Sequence, residues 1–211
     1  MVGQLKTHAQ ALVRWNERYS AQGYLFGETP NAYLVSKANV LPARGRALSV
    51  ADGEGRNSTW LAAQGLAVDA FDFSPVAVQK ARAFAAGRGA RVEYAVADAL
   101  ALAWPRRMYD VIAAIFIQFA SAEERARLFG CIREALKPGG LFILQGYRAE
   151  QMQYGTGGPG VLSQLYTPDG LRTELVGLDI IDMAVYDTEI YEGTGHRGMS
   201  ALVGLTARKD R

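Results

Sequence analysis

The chain has 211 residues, of which 49% are hydrophobic and 21% charged, a composition typical of a globular domain large enough for a substantial core. Its formal net charge of +2 excludes a strongly basic nucleic-acid-binding surface, and no apolar run reaches the ~18 residues of a membrane span, so we expect neither nucleic acid nor a membrane as a partner. One cysteine excludes an internal disulfide framework, and two distant histidines give no spacing typical of a metal site.

The amino-terminal region predicts a helix over residues 5–20 and an entrance segment that continues to residue 40. Leu12, Trp15 and Tyr19 fall on one stripe of that helix. Residues 41–211 predict the core of the same single domain, because neither a linker nor an internal repeat interrupts the chain.

The middle of the chain alternates strand-like and helix-like segments, which predicts a parallel sheet covered by helices on both faces. The predicted strands cover residues 46–51, 67–71, 91–96, 109–116 and 141–145. Predicted helices cover residues 58–64 and 76–86, and Ser121 with Glu124 forms a capping box that begins a third helix.

The last third of the chain departs from this alternation. Residues 150–166 contain Gly155, Gly157, Gly158 and Gly160, and we expect a mobile loop of the kind that often covers a site. A short helix begins at residues 167–168. Two further strands, over 179–189 and 200–207, are joined by residues 191–198 in a hairpin.

The first predicted strand ends in the loop of residues 51–57, which is the first candidate binding site. A strand that runs through small residues into a helix presents free backbone N–H groups. Gly53 and Gly55 allow a ligand to approach the backbone, because a Cβ would block it. Two glycines alone are about as often a structural turn as a binding loop.

Two acids after the following strands strengthen the prediction of a binding site. Asp72 ends the second strand, where a carboxylate can accept both hydroxyls of a ribose. Asp98 follows the third strand and is placed to accept a hydrogen bond from an exocyclic amine such as adenine N6. Either acid alone is equally well explained as a helix N-cap. Both acids at neighbouring strand ends favour a nucleoside site.

Together these features resemble a class I methyltransferase that depends on S-adenosylmethionine (SAM). The resemblance covers residues 47–147 and rests on the loop, the two acids, Tyr109-Asp110 and Pro138-Gly139-Gly140. It implies an α/β fold, a Rossmann-like doubly wound seven-stranded sheet of order 3-2-1-4-5-7-6 whose last strand is antiparallel, with an N-terminal helical lid. It also implies SAM as cofactor and S-adenosylhomocysteine (SAH) as product.

One departure from the family pattern concerns the methionine end of the cofactor. The family usually carries an acid shortly before its first loop glycine, whereas this chain has Ser49 and Ala51 there. The charged anchor for the methionine amino group is therefore absent from its usual position.

Within the family, residues 53–58 and 192–197 resemble the tellurite-resistance (TehB-type) and thiopurine-methyltransferase-like branch. Residues 15–19 and 27–31 are similar to the entrance segment of that branch. This resemblance implies a small-molecule methyl acceptor, namely a thiol, a thiopurine or a metalloid oxyanion such as tellurite. We expect a cytoplasmic location, since residues 1–10 contain no apolar signal segment. We expect a monomer or a homodimer.

The branch resemblance implies that His196 and Arg197 are catalytic residues on the acceptor side. Arg197 would hold an anionic acceptor by a bidentate contact, and His196 would donate to it or remove a proton. The alternative is a hairpin tip at which both side chains face solvent. Arg18 is a second candidate cation for the acceptor.

The remaining site residues are predicted to contact the cofactor. Trp15 and Tyr19 either close over the sulfonium or form only the packing face of their helix. Phe73 is expected along the adenine edge, and Gln118 and Phe119 are expected to face the methyl group. The full set of predicted cofactor contacts is Trp15, Tyr19, Ala51, Asp52, Gly53, Gly55, Asn57, Asp72, Phe73, Ser74, Asp98, Ala99, Leu100 and Ile115.

Two other functions remain open on the sequence. A nicotinamide-dependent oxidoreductase also uses a glycine turn and a ribose acid, but its fingerprint requires a third glycine where this chain has Ser58. A SAM-binding sensor or partner subunit without transferase activity is the other, and the departures at Ser49 and Ala51 leave it open.

Overall fold

The computed structural model describes residues 8–210 and shows a seven-stranded sheet with helices on both faces. The strands are β1 (Arg46–Val50), β2 (Ala67–Asp72), β3 (Val92–Val96), β4 (Tyr109–Ile115), β5 (Leu136–Tyr147), β6 (Leu178–Glu192) and β7 (His196–Lys209). The helices are α1 (His8–Tyr19), α2 (Ala32–Ser36), α3 (Arg56–Ala63), α4 (Pro75–Gly87), α5 (Ala122–Ala135), α6 (Gln151–Tyr154) and α7 (Pro168–Glu174). Single 3-10 turns occur at Ala38–Val40 and Leu162–Gln164.

The order of the strands is β3-β2-β1-β4-β5-β7-β6, as predicted. The first five strands pair in parallel, and β7 pairs antiparallel with both β5 and β6. Because β7 runs in the opposite direction, the β6–β7 turn lies at the same edge of the sheet as the carboxyl ends of β1 to β5. That edge holds the glycine loop as well, and the topology therefore brings the two together.

The predicted helix starts follow from local capping chemistry. Ser121 and Glu124 form the complete capping box of α5, and Ser74 accepts the N–H of Ala77 at the start of α4. Thr167 caps α7, which has Pro168 in its first turn. Helix α1 confirms the predicted amino-terminal helix over residues 8–19, and residues 5–7 of that prediction lie outside the described residues.

The core lies on both faces of the central strands. Residues 111–114 of β4 are fully buried and alternate between the two faces, as successive strand residues do. Phe129 of α5 packs in the cluster on one face, and Leu61 of α3 packs on the other. The binding edge is thus supported by a sheet that is packed from both sides.

Several boundaries differ from the sequence prediction. Strand β7 begins at His196, four residues before its predicted start, and β6 extends to Glu192. Strand β5 begins at Leu136, directly after α5, and a bulge separates its pairing with Tyr109 from the regular ladder that starts at Leu141. The glycine-rich segment 150–166 contains α6 and a 3-10 turn, and its Gln151 is buried. Within residues 8–210, no helix is both long enough and apolar enough to cross a bilayer.

Candidate cofactor and acceptor site

A cavity of about 490 Å³ lies at the carboxyl edge of the sheet, between the strand ends and α1. Most of the predicted site residues line it, and the predicted lid segment 150–166 does not. The predicted residues that lie outside the lining are Arg18, Gly55, Ser74, Gln118 and Arg197. Those that line it are Trp15, Tyr19, Ala51, Asp52, Gly53, Asn57, Asp72, Phe73, Asp98, Ala99, Leu100, Ile115, Phe119 and His196.

Asp72 presents a buried carboxylate to one end of this cavity. Its Oδ2 accepts the backbone N–H of Gly53 at 2.9 Å, and its Oδ1 accepts that of Ser74 at 2.9 Å. Burial raises the pKa of Asp72 to about 6, while these two N–H groups act in the opposite direction. Each oxygen keeps a lone pair for a further donor, so the group fits the two hydroxyls of a ribose.

Asp98 lies at the same end of the cavity, after β3. Its Oδ1 accepts the backbone N–H of Leu100 at 3.0 Å, and its Oδ2 lies 3.3 Å from Nδ1 of His8. The ring of His8 also meets Phe73 edge-on at 5.7 Å. The start of α1 therefore covers the part of the cavity where the two acids and Phe73 meet.

The two loop glycines serve different purposes. Gly53 lines the cavity in a left-handed conformation (φ +64°), and a Cβ there would come within 3.0 Å of the Tyr19 hydroxyl. Gly55 (φ +93°) faces away from the cavity, where a Cβ would lie 3.0 Å from Ala81 of α4. Close packing of the loop on α4 requires this glycine, and the cavity lining gives no support to the prediction that Gly55 admits a ligand.

Ser49 occupies the position where the resemblance predicted an acid, and it bonds to a carboxylate three residues later, that of Asp52. Ser49 Oγ donates to Asp52 Oδ1 at 2.6 Å, and the backbone N–H of Ser58 donates to the same oxygen at 3.2 Å. The Ser58 hydroxyl donates to Asp52 Oδ2. Burial raises the pKa of Asp52 to about 6. Ala51, between them, adopts a left-handed φ of +48°.

Ser74 and Asn57 act mainly as ties between the core and the entrance segment. Ser74 Oγ donates to Asn16 Oδ1 of α1 at 2.6 Å, and Asn57 Oδ1 accepts the backbone N–H of Asn31 at 2.9 Å. Ser74 was predicted as a cofactor contact, but its hydroxyl is occupied by α1 and by its own helix start. These bonds close the amino-terminal segment over the cavity.

An ion pair between the buried Glu54 and the partly buried Lys80 fixes the same segment beside the glycine loop. Glu54 Oε2 accepts the backbone N–H of Leu25 at 2.7 Å, and its Oε1 lies 2.5 Å from Lys80 Nζ. Lys80 also donates to the carbonyl oxygen of Tyr19 at 3.0 Å. The loop thus holds α1 in place as well as lining the cavity.

Aromatic rings form another part of the cavity wall. Trp15 stacks on Tyr19 with ring centroids 5.4 Å apart, and both rings line the cavity. Phe26 and Phe116 flank His196, with centroids 4.4 and 4.3 Å from its ring. Phe116 has a left-handed φ of +58°, an uncommon conformation for a bulky residue and one that often marks a functional site.

His196 is buried in this wall and is held by charged partners. Its Nδ1 lies 3.1 Å from Glu192 Oε2, and the same oxygen accepts Arg56 at 2.7 Å. Burial opposes ionisation of Glu192, but the bond to His196 and the charge of Arg56 outweigh it and lower the pKa of Glu192 to about 2. Burial is the main cause of the lowered pKa of His196.

Two predictions for the acceptor side find no support in the geometry. Arg197 is exposed and lies outside the cavity, because successive residues of β7 point to opposite faces of the sheet. Gln118, expected to face the methyl group, is buried elsewhere: its amide donates to Tyr147 O at 2.8 Å and accepts the N–H of that residue at 2.6 Å. Phe119, its neighbour, does line the cavity.

Arg18, the second candidate cation, lies beside the cavity on the aromatic wall. Its guanidinium is 4.6 Å from the Trp15 ring centroid and 5.7 Å from that of Phe26. Burial lowers the pKa of Arg18, and no carboxylate among residues 8–210 pairs with it.

Sequence reasoning missed several residues of this site, among them His8, Phe26, Arg56, Phe116 and Glu192. Arg56 and Glu192 were both visible as members of glycine-containing motifs. Their ion pair joins positions 136 residues apart, and no local pattern indicates such a contact. No sequence signal marks the left-handed conformation of Phe116.

Comparison with known proteins agrees with this geometry. Residues 47–140 match the family model of a methyltransferase domain. No curated protein matches the chain in sequence. The match covers β1 to the start of β5, and so includes the glycine loop, Asp72 and Asp98.

Solved structures resemble nearly the whole chain. One, from work on the conversion of a disulfide bond into a thioacetal group during echinomycin biosynthesis, shares 19% identity over 97% of this chain and 91% of its own, with a TM-score of 0.77. The N-methyltransferase NodS from Bradyrhizobium japonicum, in complex with SAH, shares 13% identity, and the match covers 95% of this chain and 98% of NodS, with a TM-score of 0.74. TehB from Haemophilus influenzae shares 18% identity, and the match covers 85% of this chain and 62% of TehB, with a TM-score of 0.71.

The chain therefore has the seven-stranded Rossmann-like fold of these methyltransferase structures, and its residues 47–140 match a methyltransferase domain. The likeness to TehB is one of fold, and the TehB-type branch stays a prediction. Residues 8–210 contain no cluster of histidine, cysteine and acidic side chains suited to a metal ion.

Proposed function

We propose that this protein is an enzyme that transfers the methyl group of SAM to a small-molecule acceptor. The observation that carries the proposal is a single cavity with Asp72 and Asp98 at one end and His196 at the other. The first pair suits an adenosine group. The histidine, set in an aromatic wall, suits a second, reacting molecule.

The residues at the adenosine end match the groups that the cofactor presents. Asp72 would accept hydrogen bonds from the ribose hydroxyls, and Asp98 would accept one from the N6 amine of adenine. Phe73, Leu100 and Ile115 supply apolar surface along the same stretch of the cavity. Asp52, in place of the acid missing at position 49, would attract the methionine ammonium group.

When bound, SAM supplies a methyl group already activated by a sulfonium. The main demand on the protein is alignment, and holding two reactants in line can contribute ~7–11 kcal/mol to the lowering of the barrier. Here α1 and the Phe26 segment cover the cavity, while Trp15 and Phe116 limit where an acceptor can lie. These contacts would also exclude water.

The proposed acceptors are a thiol, a thiopurine or a metalloid oxyanion such as tellurite. This range rests on the resemblance of residues 53–58 and 192–197 to the TehB-type and thiopurine branch, and on the fold shared with TehB. The aromatic wall around His196 adds support for an acceptor with apolar surface.

Two measurements on the full chain test the proposal. Calorimetry should show binding of SAH and no binding of NAD. Incubation with methyl-labelled SAM and a panel of alkyl and aryl thiols, 6-mercaptopurine, selenite and tellurite should label at least one acceptor. Binding of NAD without SAH would indicate an oxidoreductase, and SAH binding without turnover on any member of the panel would favour a sensor or partner subunit.

A further inference from the structure

We propose that Glu192 is a positioning residue that holds His196 as a neutral general base, and that the acceptor is therefore a neutral nucleophile that still carries its proton. The proposal rests on the methyltransferase function above and narrows its acceptor. It selects a thiol, hydroxyl or ring N–H over a metalloid oxyanion.

The hydrogen bonds of Glu192 determine which nitrogen of His196 carries the proton. Glu192 Oε1 accepts from Asn31 at 2.9 Å, and Oε2 accepts from Arg56 at 2.7 Å and lies 3.1 Å from His196 Nδ1. An ionised carboxylate only accepts hydrogen bonds, so Nδ1 must be the donor. In a neutral ring this leaves the lone pair on Nε2, which has no hydrogen-bond partner among residues 8–210.

The surroundings of His196 favour the neutral ring. The ring is buried between Phe26 and Phe116 and meets Tyr147 edge-on at 5.6 Å. Of the charged groups near it, Arg56 and Arg18 disfavour the imidazolium and Glu192 favours it. Burial and the two cations outweigh Glu192 and lower the pKa of His196. The neutral ring can therefore accept a proton.

The charge of the cavity points to the same kind of acceptor. Four acids line it, Asp52, Asp72, Asp98 and Glu124, whereas Arg56 is its one arginine or lysine within residues 8–210 and is already paired with Glu192. Such a lining attracts a cationic cofactor but repels an anionic acceptor. Arg18 lies beside the cavity on the Trp15 ring and is not part of this lining. Arg197, the predicted anion receptor, lies outside.

The proton of the acceptor has a defined destination. As the acceptor heteroatom bonds to the methyl carbon and the carbon–sulfur bond breaks, its proton passes to Nε2, and the positive charge lost from sulfur appears on the imidazolium. Glu192 lies against Nδ1 and stabilises that charge. The imidazolium then returns its proton to solvent.

Nuclear magnetic resonance of the histidine rings tests the geometry without any acceptor. The chain has only two histidines, so long-range nitrogen–proton correlation spectra of the wild-type protein with SAH contain two rings, and His8→Gln assigns them. At pH 7 we expect the neutral Nδ1–H form for His196. The neutral Nε2–H form, or a protonated ring, would overturn the proposal.

A variant pair then tests the role of Glu192. Glu192→Gln should shift His196 away from the Nδ1–H form and lower kcat on a thiol or phenol at least tenfold, with the Kd for SAH unchanged within about twofold. The matched control is Glu189→Gln on the same strand, whose exposed carboxylate is bonded only to Tyr191, and it should change neither quantity. Equal kcat in both variants would contradict the positioning role.

The acceptor panel separates this proposal from the broader function. Turnover of thiols or phenols, with kcat/KM falling as the pH drops through the pKa of His196, is the expected result. Methylation of tellurite or selenite alone would overturn the inference while the methyltransferase function stands. Failure to bind SAH would refute the proposed function, and the ring spectra of the unliganded protein would still report the state of His196.

Discussion

The two ends of the cavity are built in different ways. At the proposed adenosine end, Asp72 is the last residue of β2, Asp98 comes shortly after the neighbouring parallel strand β3, and the glycine loop follows β1. At the acceptor end, His196 depends on Glu192 of β6, Arg56 of α3 and two phenylalanines from separate segments.

This difference shows where a local pattern is sufficient and where it is not. The adenosine end uses short elements in chain order, so each acid is placed by its own strand. The acceptor end closes over contacts such as Arg56–Glu192, which join the beginning and the end of the domain. Changes at the two ends should therefore affect different quantities.

The largest effect is expected from His196→Ala, which removes the proposed base. We expect kcat to fall by about 10²–10⁴ on a protonated acceptor, since proton transfer by a positioned side chain contributes roughly that much. Calorimetry should show the Kd for SAH unchanged, because the change lies at the acceptor end. Unchanged turnover would show that His196 is a purely structural residue, and the two ends of the cavity would then not differ in the way proposed.

Asp72→Ala should affect cofactor affinity, the quantity that His196→Ala leaves unchanged. We expect affinity for SAH to fall at least tenfold, because a buried carboxylate with two ribose contacts is lost. Asp179→Ala, which removes an exposed carboxylate of β6, is the control and should bind SAH normally. Wild-type affinity in Asp72→Ala would refute the ribose assignment.

The buried acids also predict a pH dependence for the unliganded protein. Burial raises the pKa of Asp52 and Asp72 to about 6, above the value of 3.8 for an unperturbed group, so their ionisation opposes folding. As the pH falls from 7 to 5, these groups should raise the free energy of unfolding by about 1–3 kcal/mol together.

Denaturant titrations of wild type and Asp72→Ala at both pH values measure this effect. His196 acts in the opposite direction, because its lowered pKa makes folding less favourable as the pH falls below 6.5. It is present in both proteins, so the difference between them isolates Asp72. An identical pH dependence in the two proteins would contradict the raised pKa of that residue.

The smallest effect is expected at the loop itself, from Ala51→Gly. Ala51 has a φ of +48°, which a glycine adopts without steric strain, so we expect a gain of about 0.5–1 kcal/mol in the free energy of unfolding. Ala63→Gly in α3 is the matched control and should lose roughly 0.5–1 kcal/mol. A loss of stability in both would show that Ala51 is not strained.

By itself, the sequence determined the α/β order of elements and the helix starts at Ser74, Ser121 and Thr167, and it predicted the residues of the proposed adenosine end. These features depend on neighbours within a few positions, where capping, turn chemistry and strand ends act locally. Even here Gly55 and Ser74 were assigned to the ligand, whereas Gly55 packs against α4 and the Ser74 hydroxyl bonds to α1. A motif does not reveal which way a residue faces.

Only the tertiary structure decided the acceptor end. The direction of β7 turns His196 into the cavity and Arg197 out of it, a difference of one residue in register. Packing in three dimensions placed Phe26 and Phe116 around the ring and Glu192 against its Nδ1. Contacts between distant segments determine the charge and protonation of that end, and these contacts exist only in the folded chain.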